Sequence, residues 1–600
     1  MIRPIYLDYA ATTPVDPAVA AEMVRCLTAP DEFGNPSSGH AFGRTAAALI
    51  ERARAQVAAL VGAGTEEIVF TSGATESNNL AVLGVARANA DRGRHLVCSR
   101  IEHKSVLDVC KRLEREGFRV TWLTPEASGR IDRQAVRAAL RPDTVLVSIQ
   151  HVSNEIGVIQ DIGAIGEACR EVGVPFHTDA AQSAGRISVD VTRLPVDFMS
   201  FTSHKIYGPK GIGALYVRRG ARALLAPQSF GGGQEQGLRP GTLATHQIVG
   251  FGAAAELAAK MLTVELERIG QLRDRLWGRL ESLPGTHLNG AAPATVPHIL
   301  NVSFEDVDGE SLVTALDSLA VSTGSACSSA SGDPSYVLRA LGRSTRLAES
   351  SLRLSLGRFT TAEEVECAAA WVREEVTRLR RAAPGAIGSI GGAACPTGGL
   401  RALDSDPGAR IHSERPAGRK VSGDAKAAGD AKAAGDAKAA GDAPAHPRAW
   451  PPPGAGPDRG IAARESATDG LGAEVYRLFR ELPRAGRFSG DAEGATEEDT
   501  VLHGEAGGPA EEVWVRFHVR LDGDTVKDAR FEARGCPHTL AAAAWIASRL
   551  PGRRRSEGVP GSPQEWARQL GVPVEKLGRL LVLEDALIAC GLLHMETNRR

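Results

Sequence analysis

Residues 200–208, Ser-Phe-Thr-Ser-His-Lys-Ile-Tyr-Gly, end a short apolar strand on a lysine and close with a glycine. Two other stretches are built the same way. Glu67-Ile-Val-Phe70 runs into Thr71-Ser-Gly-Ala-Thr-Glu-Ser-Asn78, and Phe176-His177-Thr178 runs into Asp179-Ala-Ala-Gln182. A chain that repeatedly stops an apolar strand on a polar cluster is restricted to few folds. The best match is a mostly parallel sheet covered by helices, with the polar clusters beyond the carboxyl ends of the strands. The covering helices are visible as well: Ile50, Ala53, Val57 and Leu60 recur at helical spacing. Residues 144–149 and 213–217 read as further buried strands.

Each cluster suits a different part of one ligand. Gly73 permits a tight turn, and the helix after it offers N–H groups and hydroxyls to a phosphate. A carboxylate at a strand end, Asp179, can keep a pyridinium nitrogen protonated, as pyridoxal phosphate requires. Lys205 at a strand mouth leaves water, and desolvation draws an ammonium toward the neutral amine that forms a Schiff base. Singly, these are a helix cap, a polar turn and a surface lysine. In this order, each at a strand end, they form one signal.

Composition narrows the class. The chain has 600 residues, with 70 Lys and Arg against 72 Asp and Glu, a formal charge of −2. That balance makes no electrostatic case for nucleic acid or an anionic membrane. No uninterrupted apolar run reaches spanning length, and the first residues lack the apolar stretch of a secretory signal. The nine cysteines fall without CxxC pairs, which suits reduced thiols in a cytoplasmic protein. No metal site is expected.

Three segments follow one another. The βα alternation continues to about residue 385. Residues 386–466 are rich in Gly, Ala, Pro and Asp, and Gly-Asp-Ala-Lys-Ala-Ala recurs at 423, 429 and 435. Such a stretch cannot bury enough surface to offset its ordering entropy and is expected to be a disordered tether. From about 470 a small α+β domain is expected. Its residues 513–521 alternate, Asp522-Gly523 marks a hairpin, a second strand covers 526–533, and helices cover 539–550 and 577–593.

Among the cysteines, Cys327 stands apart. It lies in Val321-Ser-Thr-Gly-Ser-Ala-Cys-Ser-Ser-Ala-Ser-Gly332, a run of small polar residues where a core filler would find no apolar neighbours. An accessible loop is what a thiolate needs to reach a substrate. Cys26, Cys98, Cys110, Cys169 and Cys367 read as structural, and Cys395 as incidental.

Several long motifs resemble group I cysteine desulfurases of the IscS/NifS type, fold-type I pyridoxal phosphate enzymes. They include Tyr6-Leu-Asp-Tyr-Ala-Ala-Thr-Thr-Pro14, Phe33-Gly-Asn-Pro36, Phe70-Thr-Ser-Gly-Ala-Thr-Glu-Ser77 and Glu102-His-Lys104. His151-Val-Ser-Asn-Glu-Ile-Gly157, Ser203-His-Lys-Ile-Tyr-Gly-Pro-Lys-Gly211, Arg239-Pro-Gly-Thr242 and 322–331 continue the pattern. The resemblance implies a large cofactor-binding part at about 15–260 and a small part made of 1–14 with 261–385. It further implies that Lys205 carries the cofactor and shuttles a proton, with Asp179 on the ring nitrogen and Gln182 on the ring oxygen. His103 would stack on the ring and assist proton transfer as a catalytic residue. Ala74, Thr75, Thr202, Ser203 and His204 would hold the phosphate, joined by Thr242 from the partner subunit of a homodimer. Asn35, Asn154 and Arg353 would bind the substrate, L-cysteine, although an arginine at a strand end is also an ordinary surface ion pair. Cys327 would take the sulfur, through a deprotonation that no residue in the sequence is seen to supply. The implied outlet is iron–sulfur cluster assembly, through scaffold or acceptor proteins, with tRNA thiolation as a second outlet.

Residues 470–600 resemble IscU/NifU-type scaffolds through Val526-Lys-Asp-Ala-Arg-Phe531, Gly535-Cys536 and Leu583-Glu-Asp-Ala586. Only Cys536 of the three scaffold cysteines is kept. Ala510, Glu512, Gly578 and Arg579 stand where ligands would be, and one thiolate cannot hold a cluster. Cys536 is thus a sulfur acceptor, part of a docking or regulatory module, or an inert remnant, and His538 either lowers its pKa or is an exposed turn residue. For the whole chain the competing readings are a selenocysteine lyase, a β-lyase working without a persulfide, or a docking protein with an idle catalytic half.

Overall fold

A computed structural model describes residues 4–290, 294–323, 334–382, 471–488, 500–508, 513–557 and 561–592. The expected tether at 386–466 lies outside them. The described residues form fifteen strands: β1 Ile5–Tyr6, β2 Ile68–Thr71, β3 His95–Ser99, β4 Arg119–Leu123, β5 Thr144–Ser148, β6 Phe176–Asp179, β7 Phe198–Thr202 and β8 Gly213–Val217, then β9 Thr286–Leu288, β10 Ile299–Phe304, β11 Leu319–Ala320, β12 Ser351–Ser355, β13 Thr500–Gly508, β14 Val513–Asp522 and β15 Thr525–Arg534.

Strands β2 to β8 form one seven-stranded sheet in the order β2-β8-β7-β6-β5-β3-β4. All neighbours are parallel except β8, which runs antiparallel to both β2 and β7. The alternation of side chains across a strand feeds two cores. Phe70, Val97, Val147 and Phe201 enter one, while Val69, Leu96, Leu146 and Phe198 enter the other. Burial on both faces is why these strands read as unbroken apolar runs. The helical register predicted around Ile50 is present: helix Ala41–Val61 buries Ile50, Ala53 and Val57 and stops at Gly62 in the left-handed region.

Helix Thr245–Leu280 is long and apolar enough by length and composition to cross a membrane, although Glu256 and Lys260 interrupt its apolar residues. Here Ile248, Phe251, Ala254 and Ala255 on it are core residues. Beyond it, β9, β10 and β12 form an antiparallel sheet, and β1 pairs with β11.

The C-terminal region has the expected α+β character. β13, β14 and β15 form an antiparallel sheet backed by helices Pro537–Arg549 and Leu577–Ala589. The hairpin turns at Gly523, with φ +58°. Three elements go beyond the sequence reading: helices Ala473–Glu481 and Pro563–Leu570 and strand β13. The described residues belong to one compact unit that joins both folded regions.

Candidate active site

The predicted polar clusters meet at one edge of the large sheet. β2 ends at Thr71, and the chain turns through Gly73 (φ +155°) into helix Ala74–Ala88. Gly73 offers no side chain to cap that helix, so the N–H groups around Ala74 and Thr75 have no capping side chain of their own. β8 starts alongside. A Cβ on Gly213 would come within 2.6 Å of Gly73 Cα and 2.8 Å of the Phe201 carbonyl, so only glycine fits there. β7 ends at Thr202 and leads into Ser203, His204 and Lys205 on a single 3₁₀ turn. The Ser203 hydroxyl is fully buried and lacks a hydrogen-bond partner among the described residues. The uncapped N–H groups at the start of helix Ala74–Ala88, with the Thr202 side chain beside Gly73, fit a phosphate.

Asp179 ends β6 and is buried. Its carboxylate accepts from Asn78 Nδ2 at 2.7 Å and from the Ala181 N–H at 2.9 Å. The other Asn78 amide hydrogen goes to Ser105 Oγ at 2.9 Å, and Ser105 Oγ lies 2.8 Å from His103 Nδ1. The Ser105 N–H also donates to His103 Nδ1. With Nδ1 accepting, the proton of the neutral ring belongs on Nε2. Burial lowers the His103 pKa, with Asp179 opposing and Lys205 assisting.

Lys205 Nζ donates to the carbonyls of Ala10 and, at 2.8 Å, Ala11. Gln182 Nε2 donates to the same Ala10 carbonyl at 2.8 Å. His204 Nδ1 lies 3.1 Å from Thr12 Oγ1, and its pKa falls to about 4 through burial and the nearby Lys205 and Lys210. Thr202 Oγ1 donates to the Ile212 carbonyl. The segment after β1 therefore straps the site, a role the sequence reading did not assign to it. Tyr207, two residues past Lys205, holds φ +66°. It is kept there between the guanidiniums of Arg186 and Arg358, 4.8 and 4.1 Å from its ring.

Arg353 on β12 is buried and joins this group. Its Nη2 donates to Asp8 Oδ1 at 2.8 Å and its Nη1 to the Asn154 carbonyl at 3.1 Å. Its Nε and the Asn154 Oδ1 are buried without a partner among the described residues. Asp8, which also accepts from Ser322 Oγ at 2.9 Å, was missed in the sequence because only the fold brings it to Arg353.

Asn35 and Thr242 are not drawn into the cluster in the same way: both are exposed, and the Asn35 carboxamide bonds locally to the Ser37 N–H. Cys327 lies outside the described residues. Cys536 is fully buried, and His538 is a correction to the exposed turn residue that was expected. It is 4 % exposed, and burial pushes its pKa down to about 4.

Residues 5–367 match the aminotransferase class-V family. The chain belongs to this family, whose fold is the type I pyridoxal phosphate fold with a mostly parallel central sheet. Within it, the similarity is to cysteine desulfurases. The chain is 57 % identical over 385 residues, 64 % of its length, to cysteine desulfurase IscS of Pectobacterium atrosepticum, covering 95 % of that protein. It is equally 57 % identical over 385 residues to cysteine desulfurase IscS of Methylococcus capsulatus, with the same coverage of 64 % and 95 %. A solved NifS-like protein aligns at TM-score 0.58 and 34 % identity, over 62 % of this chain and 100 % of that one. SspA in complex with cysteine aligns at TM-score 0.54 and 41 % identity, over 60 % and 100 %. The chain is accordingly a pyridoxal phosphate enzyme of the cysteine desulfurase type, and the uncapped Gly73 turn and the paired Asp179 fit that cofactor.

Proposed function

We propose that the chain converts L-cysteine to L-alanine, leaves the sulfur as a persulfide on Cys327, and supplies it to iron–sulfur cluster assembly. When bound, pyridoxal phosphate supplies the electron sink for loss of the Cα proton. Lys205 anchors it and carries that proton, because its ammonium already sits at the strand mouth between two carbonyls. Asp179, fixed by Asn78, supports the ring nitrogen, while Ala74, Thr75, Thr202, Ser203 and His204 hold the phosphate. His103 stays neutral and oriented through Ser105. Arg353 and Asn154 take the substrate carboxylate, for which a guanidinium with an unpaired Nε is well suited.

The Cys327 thiolate then attacks the substrate sulfur. An S–S bond forms as the C–S bond breaks, and the carbon keeps the electron pair and takes a proton, giving alanine. In a homodimer the partner subunit would bring its own copy of Thr242. The observation that carries the reading is the convergence of Lys205 and the Asp179–Asn78–Ser105–His103 chain at the carboxyl ends of the large sheet, with Arg353 held from the second sheet by Asp8 on the segment that also binds Lys205. None of the seven described cysteines is paired in a disulfide, which supports a cytoplasmic setting.

We read residues 1–385 as the desulfurase and 470–600 as a degenerate IscU-like domain that accepts sulfur or docks. The electrostatic influence of Cys536 on Arg579 supports this, since Arg579 stands where the resemblance places a scaffold ligand. A turnover assay with L-cysteine, scoring alanine, sulfide and the mass of the Cys327 peptide, tests the reading. Alanine formed at full rate by Cys327→Ala would turn it toward a lyase.

A further inference from the structure

The C-terminal region meets the rest of the chain on one face, made by helices Gly309–Ala315 and Ala362–Ala382. The apolar core runs through without a break: Leu312, Val372 and Val376 belong to the same buried cluster as Phe479, Phe531 and Leu540. Polar contacts flank it. Arg480 Nη1 donates to the Ala315 carbonyl at 2.6 Å and meets Glu375 Oε1 at 3.1 Å. Arg378 donates to the Phe479 carbonyl at 2.7 Å and lies 5.0 Å over its ring.

Cys536 sits at the far edge of this contact and is held from the desulfurase side. Ser311 Oγ donates to the carbonyl of Gly535, one residue before it, at 2.9 Å. The Cys536 sulfur lies 3.5 Å from Thr539 Oγ1, and Arg579, whose charge acts on it, is 3.7 Å from Glu310 on helix Gly309–Ala315. Lys576 is paired with the same carboxylate at 2.5 Å. The thiol is 0 % exposed. Beside it, His538 is buried with neither ring nitrogen partnered among the described residues, and it faces Lys576, Glu310 and Arg579.

We propose that this contact is a mask made by the chain itself: docking of residues 471–592 on helices Gly309–Ala315 and Ala362–Ala382 closes the Cys536 thiol, which opens only when the two faces part. The purpose of the mask rests on the reading of the domain as an acceptor or docking module. The test below measures thiol exposure rather than turnover, so the two ideas fail separately. A fully buried thiol cannot meet a persulfide, so the domain receives sulfur only after undocking, and a docked domain leaves Cys327 to other acceptors.

The full chain is treated with N-ethylmaleimide, and modification of Cys536 and Cys590 is followed by mass spectrometry. Cys590 lies inside the C-terminal fold, its thiol donating to the Phe517 carbonyl at 3.5 Å, and so reports whether that fold is intact. Both should react slowly in the native chain. Arg480→Glu, which sets a carboxylate against Glu375, and Ser311→Trp, which wedges the Gly535 contact, are the two openings. Cys536 should then react faster by about tenfold or more, with Cys590 still slow. The proposal is overturned by a native Cys536 that reacts like an exposed thiol, by both cysteines opening together, or by a Cys536 that stays closed in both variants.

Discussion

Thr75 carries an exposed hydroxyl in the first turn of helix Ala74–Ala88, which makes it the most economical residue to test. A hydrogen bond to a charged group contributes roughly 1.5–3 kcal/mol, so Thr75→Ala should weaken pyridoxal phosphate binding by about 10- to 100-fold. Titration of the apoprotein by cofactor absorbance measures it, and an unchanged affinity contradicts the phosphate assignment. Asn78→Ala removes the donor that fixes Asp179 at 2.7 Å and leaves that carboxylate short of a partner. The expected result is a slower turnover, with the fold intact by circular dichroism and the cofactor absorbance altered. An unaltered spectrum and rate would show that Asp179 needs no such support. Lys205, Asp179 and Ser203 were legible because each stands in a contiguous motif at a strand end. Asn78, Ser105 and Asp8 were not, because their roles come from hydrogen bonds between segments 27 to 345 residues apart.

At the scale of elements, β8 is the insertion that the site depends on. Gly213→Ala would press a methyl to 2.6 Å from Gly73 Cα, backbone against backbone, where no side chain can yield. A loss of roughly 1–3 kcal/mol by urea unfolding is expected, together with weaker cofactor retention. A neutral result would mean that the Gly73 turn is not tightly held. The central strands also set a pH dependence. His177 on β6 lies between Ser148 Oγ at 2.8 Å and Ser200 Oγ at 3.0 Å, and burial lowers its pKa to about 4.

The unfolded chain therefore binds a proton that the folded chain refuses, between about pH 6.5 and 4, so stability falls as pH drops through that window. The contribution is on the order of 3 kcal/mol, and His151, also pushed down to about 4 by burial, acts in the same direction. Glu155, raised to about 7 by burial, opposes them. His177→Gln should flatten the slope of stability against pH relative to the native chain, and an identical slope contradicts the assignment. These strands were readable as apolar runs because both faces are buried. β13 was not, since Thr-Val-Leu-His-Gly-Glu-Ala-Gly-Gly at the sheet edge shows neither alternation nor a run. The nine residues of helix Ala473–Glu481 were too few to stand out, and its position comes from the core it joins.

For the whole molecule, the sequence suggested two independent bodies on a tether, whereas the fold shares one core between them. The abrupt change of composition at 386–466 is a property of the connecting segment and carries no information about what its two ends do in space. Removing residues 383–600 would bare Leu312, Val372 and Val376 to water. Each such side chain is worth about 1.5–3 kcal/mol when fully buried, so the truncated enzyme should show a lower Tm and self-association by light scattering. A truncated chain as stable and as monodisperse as the full one would refute the shared core. The central claim is that the strand-end lysine anchors the cofactor while Asp179 faces its ring. Borohydride reduction of the holoenzyme followed by peptide mapping tests it most directly. The account predicts a phosphopyridoxyl mass on Lys205, absent in Lys205→Ala, which should also lose alanine production by about 10³-fold or more. A label on any other lysine, or an unlabelled protein that still makes alanine, contradicts it.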